Sequence, residues 1–423
     1  MIHGGSTVGN EYRDPVTSHD STRAEARSSI DRFVDRHADR LVEVSRRIHR
    51  EPELCFAEHR AHDLLVASLA EHGLDVTPHA WGVDTAFEAR AGIQGPDVAI
   101  LLEYDALPGI GHGCGHNVIA AAGLGAGLAA AVLATELGGR VRIMGTPAEE
   151  GGGGKVIMAR NGAFRGLDAA MMVHPADADL LRMDSLAIQA VDVEYHGKEA
   201  HASAAPWEGR NALDAAVLGY MNVAALRQHI RPDERVHGIF TEAGEKPNIV
   251  PRRAAATWYV RSASMDSLQP LKKRVEACLV GAATACGCGA ELRWEGHSYA
   301  EVRDNFALAA VYARNFEADR GAGGRSCADP RHGGHRVLGS TDMGNVSHLV
   351  PSIHPMIKVA PSGTPIHTRE FAEHAGGDGG DAAVLVAARA MAATVVDLWL
   401  DADLRRRVAE EFSSSPPSTD VLA

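Results

Sequence analysis

Three short apolar runs, Val98 to Glu103, Val141 to Thr146 and Ala169 to Val173, constrain the fold more than any other feature of the chain. Each is followed at once by residues able to do metal or proton chemistry, and helical segments separate them. Apolar runs alternating with helical segments are the signature of a mainly parallel sheet covered by helices. In such sheets functional groups gather beyond the carboxyl ends of the strands. Ahead of the runs, Ile30, Phe33, Val34, Leu41, Val42, Val44 and Ile48 recur at helical spacing, which predicts an amphipathic helix over Arg23 to Arg50. The most apolar stretch, Ala120 to Leu137, is interrupted by Gly123, Gly125 and Gly127 and is rich in alanine. That composition suits a buried helix pressed against a sheet better than a membrane span.

Near Ser185 the texture changes. Alternating strands over Ala187 to Tyr195 and Ala254 to Val260 flank a helix from Asn211 to about Arg227; a helix over Met265 to Thr284 and a strand over Ala290 to Glu295 follow. After Asp304 the chain returns to helices and short strands, and Gly380 to Leu400 reads as a closing helix. At 423 residues the chain exceeds what one hydrophobic core usually supports, so two units are expected. The reading is therefore an α/β fold with an inserted α+β unit. A loose arm occupies residues 1–22, a discontinuous main domain residues 23–185 and 301–423, and the insertion residues 186–300.

Acidic residues outnumber basic ones, 55 against 42, for a net charge of −13. A surface of that sign repels a phosphate backbone, and no basic stripe offsets it, so nucleic acid is excluded as a partner. The six cysteines are sparse and irregularly spaced, and the chain starts with polar residues, which together read as a reduced cytoplasmic protein with no membrane partner.

Chemistry concentrates in a few places. In Gly111-His112-Gly113-Cys114-Gly115-His116-Asn117, a thiol and an imidazole two residues apart can serve one metal region or be a buried thiol beside a surface histidine. Pro147-Ala148-Glu149-Glu150 and four glycines follow the second apolar run. Two adjacent acids at a strand end need a cation, unless they form a solvated loop before a helix. A phosphate loop is excluded, because the glycine run lacks the lysine-hydroxyl register and carries two acids. His174 ends the third run, and His367 lies on a loop ahead of Phe371. Jointly, one cysteine, three histidines and a glutamate from separate element ends form a ligand set for one or two transition metals, with Glu149 left as the base.

The segments HGCGHN, TPAEEGGGGK, MMVHP, YHGKEAHASAAPWEGRNALDAAV, PNIVP and PIHTREF, in this order, resemble the M20 metallopeptidase and amidohydrolase family from about residue 40 to 400. The HGCGHN form is similar to the branch that contains aminobenzoyl-glutamate hydrolase subunits and aminoacylase-1-like-2 proteins. The resemblance implies a zinc-peptidase-like catalytic domain whose insertion is a lid and dimerisation domain. It implies Cys114, His116, Glu150, His174 and His367 as metal ligands, Glu149 as general base, and His201 as a histidine reaching the site of a partner copy. It also implies Asn248 and Arg261 as substrate contacts and an acid near the metal at Asp105. The implied cofactor is a divalent transition metal (Zn, Mn, Co or Fe), one or two ions per subunit, in a homodimer or larger homo-oligomer.

The implied reaction is hydrolysis of a carbon–nitrogen bond in a small carboxylate-bearing molecule: the amide of an N-acyl or aminobenzoyl amino acid, or a dipeptide. The alternative is hydrolytic deamination of an anthranilate-type amine such as 5-nitroanthranilate, giving a phenol and ammonia. Two features depart from the resemblance: Asn117 stands where an aspartate is common, and the segment from Arg320 to Arg336 has no counterpart.

Overall fold

The computed structural model describes residues 15–332, 337–414 and 419–422. The first helix, α1 (Pro15–Arg50), starts earlier than the apolar period suggests. Proline suits the first turn, where its missing N–H is not needed. Arg23, the first residue past the expected arm, ties the helix to Asp397 at 3.2 Å and to Asp401 at 2.9 Å. Residues 15–22 are thus helical rather than a loose arm, and the rest of the arm lies outside the described residues.

After α2 (His59–Glu71), strands β1 (Asp75–Pro78), β2 (Phe87–Ala91), β3 (Asp97–Leu102), β4 (Arg140–Gly145) and β5 (Ala169–Met171) form the main sheet with Ser352–Ile353. The order is β1-β2-β4-β3-β5 followed by Ser352–Ile353. Every pairing from β4 to that last edge is parallel, and β1 and β2 add an antiparallel margin. The fold class is the one the sequence implies. The antiparallel margin escapes a sequence reading because Asp75–Pro78 is short and mostly exposed, with no inward-facing alternation.

Helix α3 (His116–Leu137) is covered on every side as far as Ala130 and is correspondingly apolar all round there. A Cβ added at Gly123 would lie 2.8 Å from Leu102 Cδ1, and one at Gly127 2.5 Å from Ile143 Cγ1. These glycines, four residues apart, face β3 and β4. Gly125 points the other way, where a Cβ would lie 2.8 Å from Leu41 of α1 and 3.0 Å from Ala388 of the closing helix Asp378–Leu400. Both α3 and Asp378–Leu400 are long and apolar enough to cross a membrane, and both are largely buried inside the fold.

Helix α4 (Gly154–Arg160) follows β4. The second sheet is wholly antiparallel: β6 (Ala187–His196), β7 (Arg235–Glu242), β8 (Arg253–Ser262) and β9 (Gly289–Trp294) in the order β9-β6-β8-β7. Strand β6 alternates buried and half-buried residues along its length. Helices α5 (Ala212–Leu226) and α6 (Met265–Ala285) close a separate core around Val191, Tyr195, Trp258 and Leu279. Asn211 and Ser264 cap these helices with side-chain oxygens, which fixes where each begins. The chain passes between the two cores twice, near residues 186–188 and near 298–302. There Ile188 and Tyr299 exchange backbone hydrogen bonds at 3.0 and 2.9 Å.

The glycine contacts give a first prediction. Alanine at Gly127 gains about 1 kcal/mol of helix propensity, but overpacking against Ile143 costs about 1–3 kcal/mol. Gly127→Ala is expected to lower the denaturation midpoint, measured by circular dichroism in urea; a raised midpoint would show that α3 does not press on β4 as described.

Candidate metal centre

The functional side chains come from the carboxyl ends of adjacent parallel strands, where the backbone turns away and leaves the space above the sheet edge open. Beyond β3 lie Glu103 and Asp105, beyond β4 Glu149 and Glu150, and beyond β5 His174. Cys114 and His116 sit at the start of α3, on a turn that needs glycine. Gly115 has φ of 81°, and a Cβ there would lie 2.8 Å from Pro175. His367 has φ of 64°, uncommon for a residue with a Cβ, and its amide donates to Gly113 O at 2.8 Å.

These residues converge. Cys114 Sγ lies 3.4 Å from His174 Nε2 and 3.5 Å from His367 Nε2. Glu150 reaches His367 Nε2 at 3.5 Å and His116 Nε2 at 3.8 Å, and Glu149 lies 3.8 Å from the same His116 nitrogen. The donor atoms form three overlapping groups: Cys114 with His116 and His174, Cys114 with Glu150 and His367, and His116 with both glutamates. Cys114, His116 and Glu150 each belong to two of the groups, so the groups share donors and form one cluster.

Surrounding groups orient the imidazoles for metal binding. His116 Nδ1 donates to Asp105 Oδ1 at 3.0 Å and His174 Nδ1 to Pro175 O at 2.7 Å, so each ring turns Nε2 toward the cluster. His116 Nε2 and Glu150 Oε1 are buried without a hydrogen-bond partner among the described residues. Buried polar atoms left bare are costly, and a cation between them would satisfy both. The donor set of thiol, imidazole and carboxylate suits a borderline transition metal.

The electrostatics point the same way. Burial first, then Glu103 and Glu150, holds the Glu149 carboxyl well above the usual carboxylate range. Burial, then Glu150, pushes the Cys114 thiol up, and burial keeps His174 neutral. The raised Glu149 and Cys114, with acids as the leading charges beside them, mark a place where negative charge is short of compensation. A fully buried ammonium nearby, Lys155, is held protonated against its burial by Asp342 and Glu103, with Nζ at 2.5 and 2.6 Å from their oxygens.

Other expected positions lie elsewhere. His201 and Asn248 are exposed on neighbouring loops of the second unit, and among the described residues neither bonds to the cluster. The amides of Ser203 and Ala204 donate to His201 Nδ1 at 3.4 and 3.2 Å, which leaves the ring hydrogen on Nε2. Arg261 is half-buried; its Nη1 donates to Ser340 Oγ at 3.3 Å, while its Nε has no partner among the described residues. Asn117 is structural, binding Ser45 Oγ and Ala375 O, both at 2.9 Å. His112 likewise bonds Ile48 O on α1.

Sequence reasoning passed over Glu58, Glu103, Lys155, Tyr299 and Asp342. Glu58 is fully buried and accepts from the Ala148 amide at 2.9 Å and from Thr85 Oγ1 at 2.8 Å; burial, then Asp105, pushes its carboxyl up to about 7. Glu103 had a readable signal, as an acid closing an apolar strand. Glu58, Tyr299 and Asp342 sit in ordinary-looking loops and Lys155 in the first turn of α4, and all four acquire meaning only through contacts distant in sequence.

The chain matches the model of the peptidase family M20/M25/M40 over residues 99–397. It is 41% identical over 413 residues to the mouse Xaa-Arg dipeptidase, covering 92% of each chain. Identity to a p-aminobenzoyl-glutamate hydrolase chain of Escherichia coli is 29% over 450 residues, covering 90% of this chain and 94% of the other. The crystal structure of an aminobenzoyl-glutamate utilization protein from Klebsiella pneumoniae superposes with a TM-score of 0.68 at 20% identity, covering 88% and 98%.

Replacing the carboxylate behind His116 tests the geometry. Asp105→Asn is expected to bind Mn²⁺ or Zn²⁺ about 10- to 100-fold more weakly by isothermal titration, with the secondary structure unchanged. Unaltered affinity would show that Asp105 does not orient a ligand.

Proposed function

Since the chain belongs to the peptidase family M20/M25/M40 and is a hydrolase of amide or peptide bonds, we propose that it cleaves a dipeptide or N-acyl amino acid with a free carboxylate. The observation that carries this reading is the convergence of Cys114, His116, Glu150, His174 and His367, which are the proposed ligands of one or two divalent transition metal ions. When bound, such an ion acidifies water and polarises a carbonyl.

The two adjacent glutamates divide the work. Glu150 reaches both His116 and His367 and appears in two of the three donor groups, which supports it as the ligand. Glu149 appears in one, lies on the Glu103 side, and has a carboxyl raised by burial toward a range where it can both take and return a proton. Its Oε atoms would accept a proton from the attacking water and deliver it to the leaving amine. Arg261 extends from β8 toward Ser340 with a bare Nε, which supports it as the clamp on the substrate carboxylate. Asn248 is proposed as a second contact.

His201 is proposed to complete the site of a second copy. Its Nε2–H is the form that donates to a developing oxyanion, yet within one chain the loop stands apart from the cluster. Strand β7 is an edge bonded on one side only, and beside it Val217, Met221, Ile239 and Phe240 are exposed, which supports a homodimer formed through this face with the second unit acting as lid and dimerisation domain. The similarity to an Xaa-Arg dipeptidase over nearly the whole chain favours dipeptides over the aromatic-amine alternative, and no side chain in the site favours the latter.

Product analysis by mass spectrometry, with metal-loaded protein against Xaa-Arg dipeptides, N-acyl amino acids, aminobenzoyl-glutamate and substituted anthranilates, tests the reading. An acid and an amine are expected; a phenol and ammonia would overturn it. Glu149→Ala should keep its metal and lose turnover by a factor on the order of 10³ or more; a normal rate would remove Glu149 as base. Glu149→Ala and His201→Ala chains, each inactive alone, should regain activity when mixed. Failure to regain it, with dimers re-formed, would contradict the crossed arrangement.

A further inference from the structure

We infer that Tyr299 is a positioning residue that holds the Glu149 loop in register with the crossing between the two units. The inference rests on Glu149 being the base. The Tyr299 hydroxyl is bonded only to backbone groups of that loop among the described residues, so it acts through the backbone.

The loop from Ala148 to Gly154 is held from three directions. From below, buried carboxylates take the amides on either side of Glu149: Glu58 accepts from Ala148 N and Asp105 from Glu150 N, each at 2.9 Å. From within, the amide of Gly153 donates to Ala148 O at 3.1 Å. From the second unit's side, the Tyr299 hydroxyl donates to Glu149 O at 2.8 Å and accepts from Gly153 N at 2.9 Å and Gly152 N at 3.2 Å. One hydroxyl thus uses its donor and both lone pairs on a single loop. Burial, then Asp342 and Glu149, keeps the phenol protonated, as donation requires.

The glycine run is shaped to admit this contact. A Cβ at Gly154 would lie 1.9 Å from Pro147 O, and one at Gly152 2.2 Å from the Phe56 ring. Gly153 has φ of 67°, and a Cβ there would lie 3.2 Å from the Tyr299 ring. Glycine is required at these three positions for the loop to fold back under the tyrosine.

The backbone of Tyr299 belongs to the crossing itself. It exchanges both hydrogen bonds with Ile188, the residue by which the chain first enters the second unit. Its neighbours are fixed to the main unit, with Asn345 donating to Ser298 O at 3.0 Å and accepting from Ala300 N at 3.1 Å. A rotation of the second unit about these two crossings would turn at the Ile188–Tyr299 bridge, and the Tyr299 hydroxyl would carry the displacement to the carbonyl of Glu149. A shift on the order of 1 Å in a base is enough to cost about 100-fold in rate.

Tyr299→Phe keeps the ring and its packing and removes only the hydroxyl. With the metal-loaded full chain and a cleaved dipeptide, kcat is expected to fall by about 10- to 100-fold while KM and metal content stay within about twofold. A merely structural tyrosine would lower the melting temperature and leave kcat unchanged well below it, and that result would overturn the inference. Glu149→Ala run in parallel separates the two failures. Normal turnover in Glu149→Ala defeats the base assignment, whereas an inactive Glu149→Ala beside a fully active Tyr299→Phe defeats only the positioning role. Should Tyr299→Phe not fold, Asn345→Ala, which loosens the same crossing from the main unit's side, is expected to lower kcat at constant metal content, and unchanged kcat would count against the inference.

Discussion

Negative charge is packed where the main sheet can least solvate it, and the rest of the site is arranged around that fact. Glu58, Glu103 and Asp105 are fully or almost fully buried, as is Asp342, and Glu149 is nearly so. Isolated carboxylates in such surroundings would either take up protons or pull in cations. Lys155 neutralises part of the charge between Glu103 and Asp342, and the His116 Nδ1–H hydrogen-bonds Asp105. The remainder faces Cys114, His174 and His367, whose donor atoms a divalent ion would bind.

Two scales of packing make this possible. On the larger scale, α3 can lie against the sheet only because Gly123 and Gly127 let its backbone approach β3 and β4, and that approach sets the height of His116 above the strand ends. On the smaller scale, the glycines after Glu150 let the loop double back under Tyr299. In the proposed site the second unit would contribute Arg261 and, from a second copy, His201, neither of which bonds to the cluster among the described residues of one chain.

Much of this was legible in the sequence. The three apolar runs gave parallel strands, because strands buried on both faces read as unbroken apolar text, and the residues at their ends were the ones the fold brings together. The long antiparallel strands β6 and β8 were visible through alternation. Strand β7 was not, since it carries exposed Ile239 and Phe240 on an edge and follows no inward pattern. The start of α1 is not legible because residues 15–22 are almost all polar and carry no apolar period; the ion pair to Asp397 at this end of the helix is made by Arg23. The ligand candidates could be listed from residue type and position. Their supports could not, because Glu58, Tyr299 and Asp342 lie tens of residues or more from them, Lys155 acts through the distant Glu103 and Asp342, and no local period announces a hydrogen bond.

The central claim is that Cys114 and the residues around it hold a divalent cation. X-ray absorption on protein loaded with Zn²⁺ or Co²⁺ tests it directly, since sulfur scatters at a longer distance than nitrogen or oxygen, about 2.3 Å for zinc. The account predicts one sulfur among nitrogen and oxygen neighbours, lost in Cys114→Ser. A shell of oxygen and nitrogen alone in the unaltered protein, or one unchanged by that substitution, would contradict it.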